Sequence, residues 1–294
     1  MTDVLFFETY NLKIMKSPFY PCLWFDNNSR EAADFYISAF PVSKILDSNP
    51  LVTTFELMNT KFMALNGGPL YKMTPAFSFS VYCENEKETR RLYNLLSKHG
   101  NILIPLDKYD WSPLYAWVED KFGVSWQLDA NSSGQKEKII PTLLFVNQKN
   151  TLVRDAVEYY KNIIPDSETI FEAPFPTGSG MPENSLLFAR FQLNGNIFNA
   201  MCSPEPHDYD FTPGNSIVIE CETQEEIDYF WEKLGKNGHY SMCGWLEDKY
   251  GVSWQIIPSV LPELMADPEQ AQKVTAAFMN MQKLEIGALL DSIR

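Results

Sequence analysis

Apolar and polar positions alternate along the chain in a pattern that repeats four times. An aromatic-rich strand over residues 21–26 leads into a helix whose apolar stripe is Ala32, Phe35, Tyr36 and Phe40. Segments with a period of two follow, separated by turn residues, and they predict three more strands. Because the order strand, helix and three strands returns three further times, we predict an α+β fold of four βαβββ modules.

The second feature is an internal duplication. Residues 118–128 (VEDKFGVSWQL) return as residues 246–256 (LEDKYGVSWQI), so the chain is one unit written twice. Each half is of ordinary single-domain size. The polar segment between the halves has no apolar period and is predicted to be a linker. The predicted divisions are an N-terminal extension (1–15), two domains (16–130 and 139–260), the linker (131–138) and a C-terminal helical tail (261–294).

The tail occurs only after the second half. Asp267 is predicted to cap a helix, with Pro268 in its first position and Gln270 completing a capping box. The helix has an apolar face, which favours packing against the rest of the protein over a role as a partner-binding arm.

Other helix ends carry similar signals. Asn28 with Glu31 predicts a capping box at the first helix. Gly100 and Gly238 follow helices in the two halves, where a left-handed residue is commonly found, and we expect them to adopt that conformation.

The duplicated turn contains carboxylates that could suggest acid–base chemistry. Asp120 and Asp248 each follow a glutamate and open a turn that closes with Gly123 or Gly251. Neighbouring strand residues point to opposite faces of a sheet, and Asp is favoured at such turns. We therefore interpret both aspartates as turn residues, and we expect positive φ at both glycines.

Composition narrows the possible partners. The net charge is −14 and the pI is about 4.7, which argues against nucleic-acid or anionic-membrane binding through a basic face. The five cysteines have no C-x-x-C spacing, and Cys22, Cys83 and Cys221 lie in apolar runs. These features are typical of buried thiols in a reducing cytoplasm, and we predict a cytoplasmic location.

The first residues do not look like a signal peptide, because they carry Asp3 and Glu8 and have no basic start. Met15 lies just before the first predicted strand, so synthesis starting at Met15 rather than Met1 is a hypothesis. No apolar run approaches the roughly 20 residues that a membrane span needs.

The order of modules, with PCLWFD leading to Phe35 and Tyr36, resembles the vicinal oxygen chelate (glyoxalase/bleomycin-resistance) superfamily. The stretch CGWLEDKYGVSWQ, the following Pro258 and the LPEL…DP tail resemble its PhnB-like group, which is labelled demethylubiquinone methyltransferase-like. The resemblance covers roughly residues 16–294. It implies two tandem glyoxalase/bleomycin-resistance-like domains, each with a concave sheet, and a C-terminal helical tail.

The methyltransferase label lacks support in the residues. The usual S-adenosylmethionine site needs a glycine-rich turn after a parallel strand. The nearest candidates are Gly67-Gly68 and Gly178-Ser-Gly180, and both are predicted to lie in loops between strands.

Superfamily chemistry commonly uses a divalent metal held by His and Glu, and the resemblance implies where those ligands would lie. Pro21 and Pro141 stand at the first position, and proline has no side-chain donor. Gln127 and Gln255 replace the terminal Glu, and a lone neutral amide does not hold a catalytic dication. We predict no metal and no cofactor. The three histidines are interpreted as surface residues: His99, His207 and His239.

Strand parity selects candidate pocket residues. Gln127 and Ser125 should share the concave side, and the same parity counted from Pro21 selects Leu23 and Phe25. Cys243 precedes Gly-Trp in a predicted cavity strand, where a wall residue is favoured over a reactive thiol. The predicted apolar and aromatic pocket residues, for which ordinary core packing is the alternative, are Leu23, Phe25, Asn66, Trp117, Ser125, Gln127, Phe145, Cys243, Trp245, Ser253 and Gln255.

Three function classes follow. The first is a metal-free protein that binds a small apolar or aromatic molecule in two similar cavities, and the sequence favours this class. The second is a metal-dependent lyase, isomerase or dioxygenase of the glyoxalase superfamily. The third is a protein-interaction module. We expect an internal pseudo-dimer, with a further homodimer as an open alternative. Catalytic residues and the identity of the ligand do not follow from the sequence.

Overall fold

The computed structural model describes residues 18–130 and 138–294. The predicted N-terminal extension, Met15 and the linker before Lys138 lie outside the described residues.

Each module has the predicted order of one strand, one helix and three strands. Module 1 contains β1 (Phe19–Phe25), α1 (Ser29–Ala39), β2 (Ser43–Ser48), β3 (Val52–Leu57) and β4 (Thr60–Asn66). Module 2 contains β5 (Phe77–Tyr82), α2 (Glu86–Leu96), β6 (Asn101–Tyr109), β7 (Ser112–Glu119) and β8 (Ser125–Asp129).

The second half repeats this order. Module 3 contains β9 (Ile139–Phe145), α3 (Val153–Ile163), β10 (Glu168–Pro174), β11 (Leu186–Leu193) and β12 (Asn196–Cys202). Module 4 contains β13 (Asn215–Cys221), α4 (Gln224–Gly235), β14 (His239–Tyr240), β15 (Trp245–Glu247) and β16 (Ser253–Pro258). The tail forms α5 (Leu261–Leu264), α6 (Pro268–Phe278) and α7 (Ile286–Ser292).

The modules form two eight-stranded sheets. Modules 1 and 4 form sheet I, in the order β14-β15-β16-β13-β1-β4-β3-β2, and modules 2 and 3 form sheet II, in the order β10-β11-β12-β9-β5-β8-β7-β6. Antiparallel pairs join the modules at the centre of each sheet, with Pro21 opposite Ile217 and Phe79 opposite Pro141. Each half of the sequence therefore contributes one module to each sheet.

One continuous core lies between the sheets and their helices. Phe62 of sheet I and Phe79 of sheet II are both fully buried, with ring centroids 5.0 Å apart. Tyr36 of α1 stacks on Phe55 and contacts the ring of Trp126 in sheet II. Burying each such ring stabilises the fold by about 1.5–3 kcal/mol. The concave faces of the two sheets carry smaller, separate clusters.

The duplicated aspartate organises a buried hydrogen-bond cluster in each half. Asp120 Oδ2 accepts hydrogen bonds from Tyr36 Oη and Trp126 Nε1, both at 2.8 Å. Asp120 Oδ1 accepts from the backbone N–H groups of Phe122 and Val124 at 2.8 and 3.1 Å. The turn interpretation is confirmed, and the turn's carboxylate also ties a helix to a strand.

Asp248 accepts the corresponding four hydrogen bonds, with Tyr160 and Trp254 as its side-chain donors. Burial raises the pKa of Asp120 and of Asp248 to about 6, although all four donors in each cluster oppose that rise. Both carboxylates are covered by protein and serve the fold, which leaves no acid–base role for them.

The structure corrects two predicted helix ends. Gly100 and Gly238 do not have positive φ, and the left-handed position is taken by the preceding His99 (φ 64°) and Asn237 (φ 62°). A Cβ on Gly100 would lie 2.0 Å from the carbonyl oxygen of Glu119, so glycine is required by close packing instead. Gly123 and Gly251 adopt positive φ as predicted, at 87° and 90°.

Candidate functional site

A row of polar side chains crosses the concave face of sheet II. It runs over β8, β5, β9, β12 and β11, where hydrogen-bonded neighbours place its members side by side. All but the last are buried, and the last is half-buried. We call these six residues the polar row: Gln127, Ser78, Ser80, Thr142, Asn199 and Arg190.

Gln127 anchors one end of the polar row. Its Nε2 donates to Ser78 Oγ at 2.8 Å, and its Oε1 accepts from Tyr115 Oη at 2.8 Å. Met201 Sδ lies 3.5 Å from the same Nε2. The amide is therefore held in one orientation by neutral partners, and Tyr115 is fixed over it.

Arg190 forms the other end. Asn199 Nδ2 donates to Thr142 Oγ1 at 3.2 Å, and Asn199 Oδ1 accepts from Arg190 Nε at 3.0 Å. Arg190 Nη2 also donates a short hydrogen bond to Tyr82 Oη. Its guanidinium carbon lies 5.0 Å from the centroid of the Tyr82 ring. The cation is thus positioned by an amide, a phenol and a ring face.

An extended hairpin of β6 and β7 adds an aromatic wall. Tyr109 and Trp111 stack at 4.9 Å, and both rings contact the edge of Tyr115. Trp111 is 58% exposed, which is unusual for an indole. Trp117 on the same hairpin donates from Nε1 to Ser125 Oγ at 2.6 Å. Trp117, Ser125 and Gln127 therefore lie together on this face of sheet II.

The tail covers an apolar cluster on the concave face of sheet I. Tyr20, Cys22, Val218 and Ile257 pack there against Leu284. The tail is held by backbone hydrogen bonds as well, from Cys243 N to Met281 O at 2.6 Å and from Gly244 N to Gln282 O at 2.7 Å. The expectation that the tail packs on the rest of the protein is confirmed.

Corresponding positions of the two sheets differ in polarity. The strand registers align Ser80 with Val218 and Thr142 with Cys22, and they align Asn199 with Met63. By the same alignment Arg190 corresponds to Thr54. Sheet II thus carries polar groups at three aligned positions where sheet I has Val218, Cys22 and Met63, whereas Gln127 and Ser78 are repeated in sheet I as Gln255 and Ser216. In the described ranges, no counterpart of the tail helices lies over sheet II.

Four predicted pocket residues belong to module 4. Gln255 Nε2 donates to Ser216 Oγ at 2.9 Å, and Trp245 lies edge-on to Trp24 with centroids 5.7 Å apart. The buried Ser253 Oγ has no hydrogen-bond partner among the described residues. These side chains face the same side as the tail.

Cys243 is the fourth, and it lies in a turn before β15, with φ of 60°, rather than in the predicted strand. Burial raises the pKa of its thiol, which opposes formation of a nucleophilic thiolate.

Three predicted pocket residues face the wrong way. Leu23, Phe25 and Phe145 belong to the core between the sheets and the helices. The residues of β1 that face the concave side are the even-numbered ones, such as Tyr20 and Cys22. Every residue of β1 is apolar or weakly polar, so parity could not be chosen there from the sequence, whereas Thr142 of β9 is polar and does mark the concave side.

Asn66 caps a helix instead of lining a pocket. Its Oδ1 accepts from the backbone N–H of Ser29 at 2.9 Å, and its Nδ2 donates to Pro50 O at 2.9 Å. It therefore performs the role predicted for Asn28, whose side chain makes no capping hydrogen bond at α1. At α2 and α4 the N-cap side chains Asn85 and Thr223 do cap, since each accepts from the backbone N–H of the third residue of its helix.

Arg190, Asn199, Tyr82 and Tyr115 were missed from the sequence. Arg190 interrupts the apolar alternation of β11, and its counterpart in the first half is a threonine. A comparison of duplicated positions for charge could have identified it.

The side chains present do not fit a divalent metal. In residues 18–130 and 138–294, no three His, Cys, Asp or Glu side chains lie close enough together to hold an ion. The polar row offers neutral amides and hydroxyls and ends in a cation, which repels a dication. In sheet I, burial raises the pKa of Cys22 to about 12, so that thiol is a poor ligand as well.

Two recesses of the surface lie outside the predicted pocket. One cleft of about 830 Å³ lies between the end of α1 and the start of α2, and it includes Met58 and Cys83. A smaller one of about 290 Å³ lies near Pro21 and Pro141. Neither includes a predicted pocket residue.

No described helix is long and apolar enough to cross a membrane.

The paired modules and their concave sheets form a tandem glyoxalase-like fold. Glyoxalase I from Zea mays shares this fold, with a TM-score of 0.56, 10% sequence identity, and coverage of 86% of this chain and 97% of its own. The family model described as 3-demethylubiquinone-9 3-methyltransferase matches residues 17–129 and 137–257. The chain belongs to this family.

Two solved structures are more similar in sequence over half-length matches. The PhnB protein from Bacillus cereus is 34% identical, covering 37% of this chain and 96% of its own, with a TM-score of 0.36. A protein from Staphylococcus aureus is 31% identical, covering 39% and 97%, with a TM-score of 0.18. None of the curated proteins that were compared matches the chain.

Proposed function

We propose that the protein binds a small molecule on the concave face of sheet II, through hydrogen bonds and ring contacts and without a bound dication. The observation that supports this is the polarity difference between the two sheets. The tail covers apolar residues in sheet I, whereas sheet II carries the polar row and the aromatic wall at the same level. A ligand on sheet II would occupy the place that the tail takes in sheet I.

The neutral partners suit recognition rather than metal chemistry. Tyr115 and Trp117 are buried aromatic side chains beside the polar row, and Gln127 and Asn199 are held by their hydrogen bonds. Small-molecule sites combine such apolar walls with a few fixed polar groups. A fixed amide loses little conformational entropy when a ligand binds.

Methyl transfer, the activity in the family's description, is not part of the proposal. Gly67 packs against the Trp24 ring, where an added Cβ would lie 2.1 Å from the indole, and Trp24 Nε1 donates to Gly68 O at 2.7 Å. Gly178 and Gly180 lie between β10 and β11. These glycines have structural roles in loops and do not form a cofactor-binding turn.

The cytoplasmic location and a further homodimer stay predictions. The cysteines Cys22, Cys83, Cys202 and Cys221 are buried and free, as expected in a reducing compartment. Sedimentation of the purified protein at micromolar concentration would decide between monomer and homodimer.

The same substitution at the two corresponding glutamines, one in each sheet, tests the proposed site. Gln127→Leu and Gln255→Leu each remove one buried amide that donates to a serine, and Gln127→Leu also leaves Tyr115 Oη without its acceptor, so it should be the more destabilising of the two. Only Gln127→Leu should weaken protection by ring compounds in a thermal-shift screen. A ligand at a hundredfold its Kd adds about 2.7 kcal/mol of stability, which is easily measured.

Other outcomes would contradict the proposal. Equal loss of protection in both variants would place the ligand elsewhere. Near-stoichiometric Zn, Ni, Mn or Fe in the purified protein, whose removal abolishes ligand protection, would favour the metal-dependent enzyme. A single protein partner that co-purifies, with no protection by any ring compound, would favour the interaction module.

A further inference from the structure

Arg190 differs from every other arginine of the chain. The other five each form an ion pair with an acidic side chain: Arg30, Arg90, Arg91, Arg154 and Arg294. Arg190 forms none with the described residues, although it is half-buried. A half-buried cation without a counterion is costly, so its retention in a chain of net charge −14 calls for a functional explanation.

The groups around Arg190 orient it without neutralising it. Asn199 accepts from Nε and Tyr82 from Nη2. Burial is the main reason that the pKa of Tyr82 is raised, so its hydroxyl is a neutral phenol at pH 7. Asp129, opposite Tyr82 on β8, accepts from Ser112 Oγ at 2.6 Å and forms no ion pair with Arg190.

Part of the guanidinium fork remains available. Guanidinium carries five N–H donors, and two of them are used by Asn199 and Tyr82. The other three have no acceptor among the described residues, and a planar fork of this kind suits a carboxylate in bidentate fashion. The three remaining N–H groups are therefore the part of Arg190 that can bind a ligand.

Rings on both sides suggest the rest of the ligand. The guanidinium lies 5.0 Å from the Tyr82 ring centroid and 5.9 Å from that of Phe188. Phe171, 55% exposed, lies 6.3 Å from Phe188. Tyr115 completes the aromatic surroundings across the polar row. A flat apolar group adjacent to the carboxylate would be accommodated by these rings.

We propose that Arg190 binds the carboxylate of a small aromatic acid, whose ring lies against the aromatic side chains of sheet II. This deepens the proposed function, on which it rests. Thr54 at the corresponding place in sheet I offers no such cation, so the duplicated face lacks this recognition.

Pairs of aromatic acids and their neutral amides test whether the site recognises the negative charge of a carboxylate. The probes are benzoate, 2-naphthoate and indole-3-acetate, each paired with its neutral primary amide, measured by isothermal titration calorimetry. Charge-assisted hydrogen bonds are roughly twice as strong as those between neutral groups. At least one acid should therefore bind about tenfold or more tightly than its amide. Raising the salt concentration should reduce that ratio.

Variants identify the residue. Arg190→Gln should abolish the preference for acid over amide, and Arg190→Lys should retain part of it. The control Arg154→Gln removes an arginine that is already paired with Glu172 and should leave the ratio unchanged. Circular dichroism and the thermal midpoint check that each variant is folded.

The outcomes separate the two proposals. If acids and amides bind sheet II equally well, or if Arg190→Gln keeps the preference, the carboxylate proposal is wrong and the small-molecule function survives. If no acid or amide binds at millimolar concentration, both proposals fail for aromatic ligands of this size.

Discussion

Removing one donor from a buried aspartate should make stability depend more strongly on pH. Tyr36→Phe deletes the hydroxyl that donates to Asp120 Oδ2 at 2.8 Å and leaves the aromatic packing in place. A hydrogen bond to a charged group contributes about 1.5–3 kcal/mol. We expect this loss in full when Asp120 is ionised and a smaller loss when it is protonated.

The sign follows from the pKa of Asp120. Burial raises it from 3.8 to about 6 in the folded protein, so the native state binds the extra proton between these values. The contribution of Asp120 to stability is therefore present below about pH 4 and is lost as the pH rises through 6. The Tyr36 hydrogen bond lowers the pKa of Asp120. Its removal should therefore shift the pH range over which this stability is lost upward by about one to two pH units.

Urea unfolding at pH 5 and pH 8 measures the effect. Tyr36→Phe should cost about 1.5–3 kcal/mol at pH 8 and clearly less at pH 5. Tyr160→Phe, which removes the duplicate bond to Asp248, should behave alike. The control is Tyr159→Phe, whose hydroxyl donates to the neutral carbonyl of Lys233 at 2.6 Å.

The control should cost about 0.5–1.5 kcal/mol at both pH values. An equal cost of Tyr36→Phe at pH 5 and pH 8 would refute the reasoning, as would clearly different behaviour of Tyr36→Phe and Tyr160→Phe.

Two further substitutions test packing. Gly100→Ala would place a Cβ 2.0 Å from the carbonyl oxygen of Glu119, so we expect a loss of about 1–3 kcal/mol in urea unfolding, whereas Gly287→Ala meets no atom within 4 Å and should be tolerated. Leu284→Ala should cost about 2–5 kcal/mol and expose the apolar face of sheet I to a hydrophobic dye. The control Leu290→Ala, at a 37% exposed position of the same tail, should cost little, and equal dye binding in both variants would contradict the covering role of the tail.

The alternation of apolar and polar residues was sufficient to predict the modules. It was insufficient to predict how the modules assemble. Trp126 and Gln127 alternate between apolar and polar, so the orientation of β8 was predicted correctly. The strand β1 is apolar on both faces, and Leu23 was therefore assigned to the wrong side. Parity is readable only where one face of a strand differs from the other.

Long-range pairing was not visible in the sequence either. Periodicity identifies strands but does not specify which edges pair, so the joining of module 1 with module 4 appears only in the structure. The same limit hid the polar row, because Asn199 and Gln127 meet through strands from different halves. In the sequence Arg190 is a lone charge in an apolar strand, and its neighbours follow only from the pairing of the strands.

Methyl NMR gives the most direct test of the central claim, that sheet II binds a small molecule without a dication. Methionine methyl groups report separately on sheet II (Met201), sheet I (Met63) and the 830 Å³ cleft (Met58). In protein treated with EDTA and labelled with ¹³C-methyl methionine, 2-naphthoate should shift the Met201 signal and give intermolecular NOEs to it, with Met63 and Met58 unchanged. Shifts confined to Met58 or Met63, or binding that appears only after a divalent metal is added, would contradict the account.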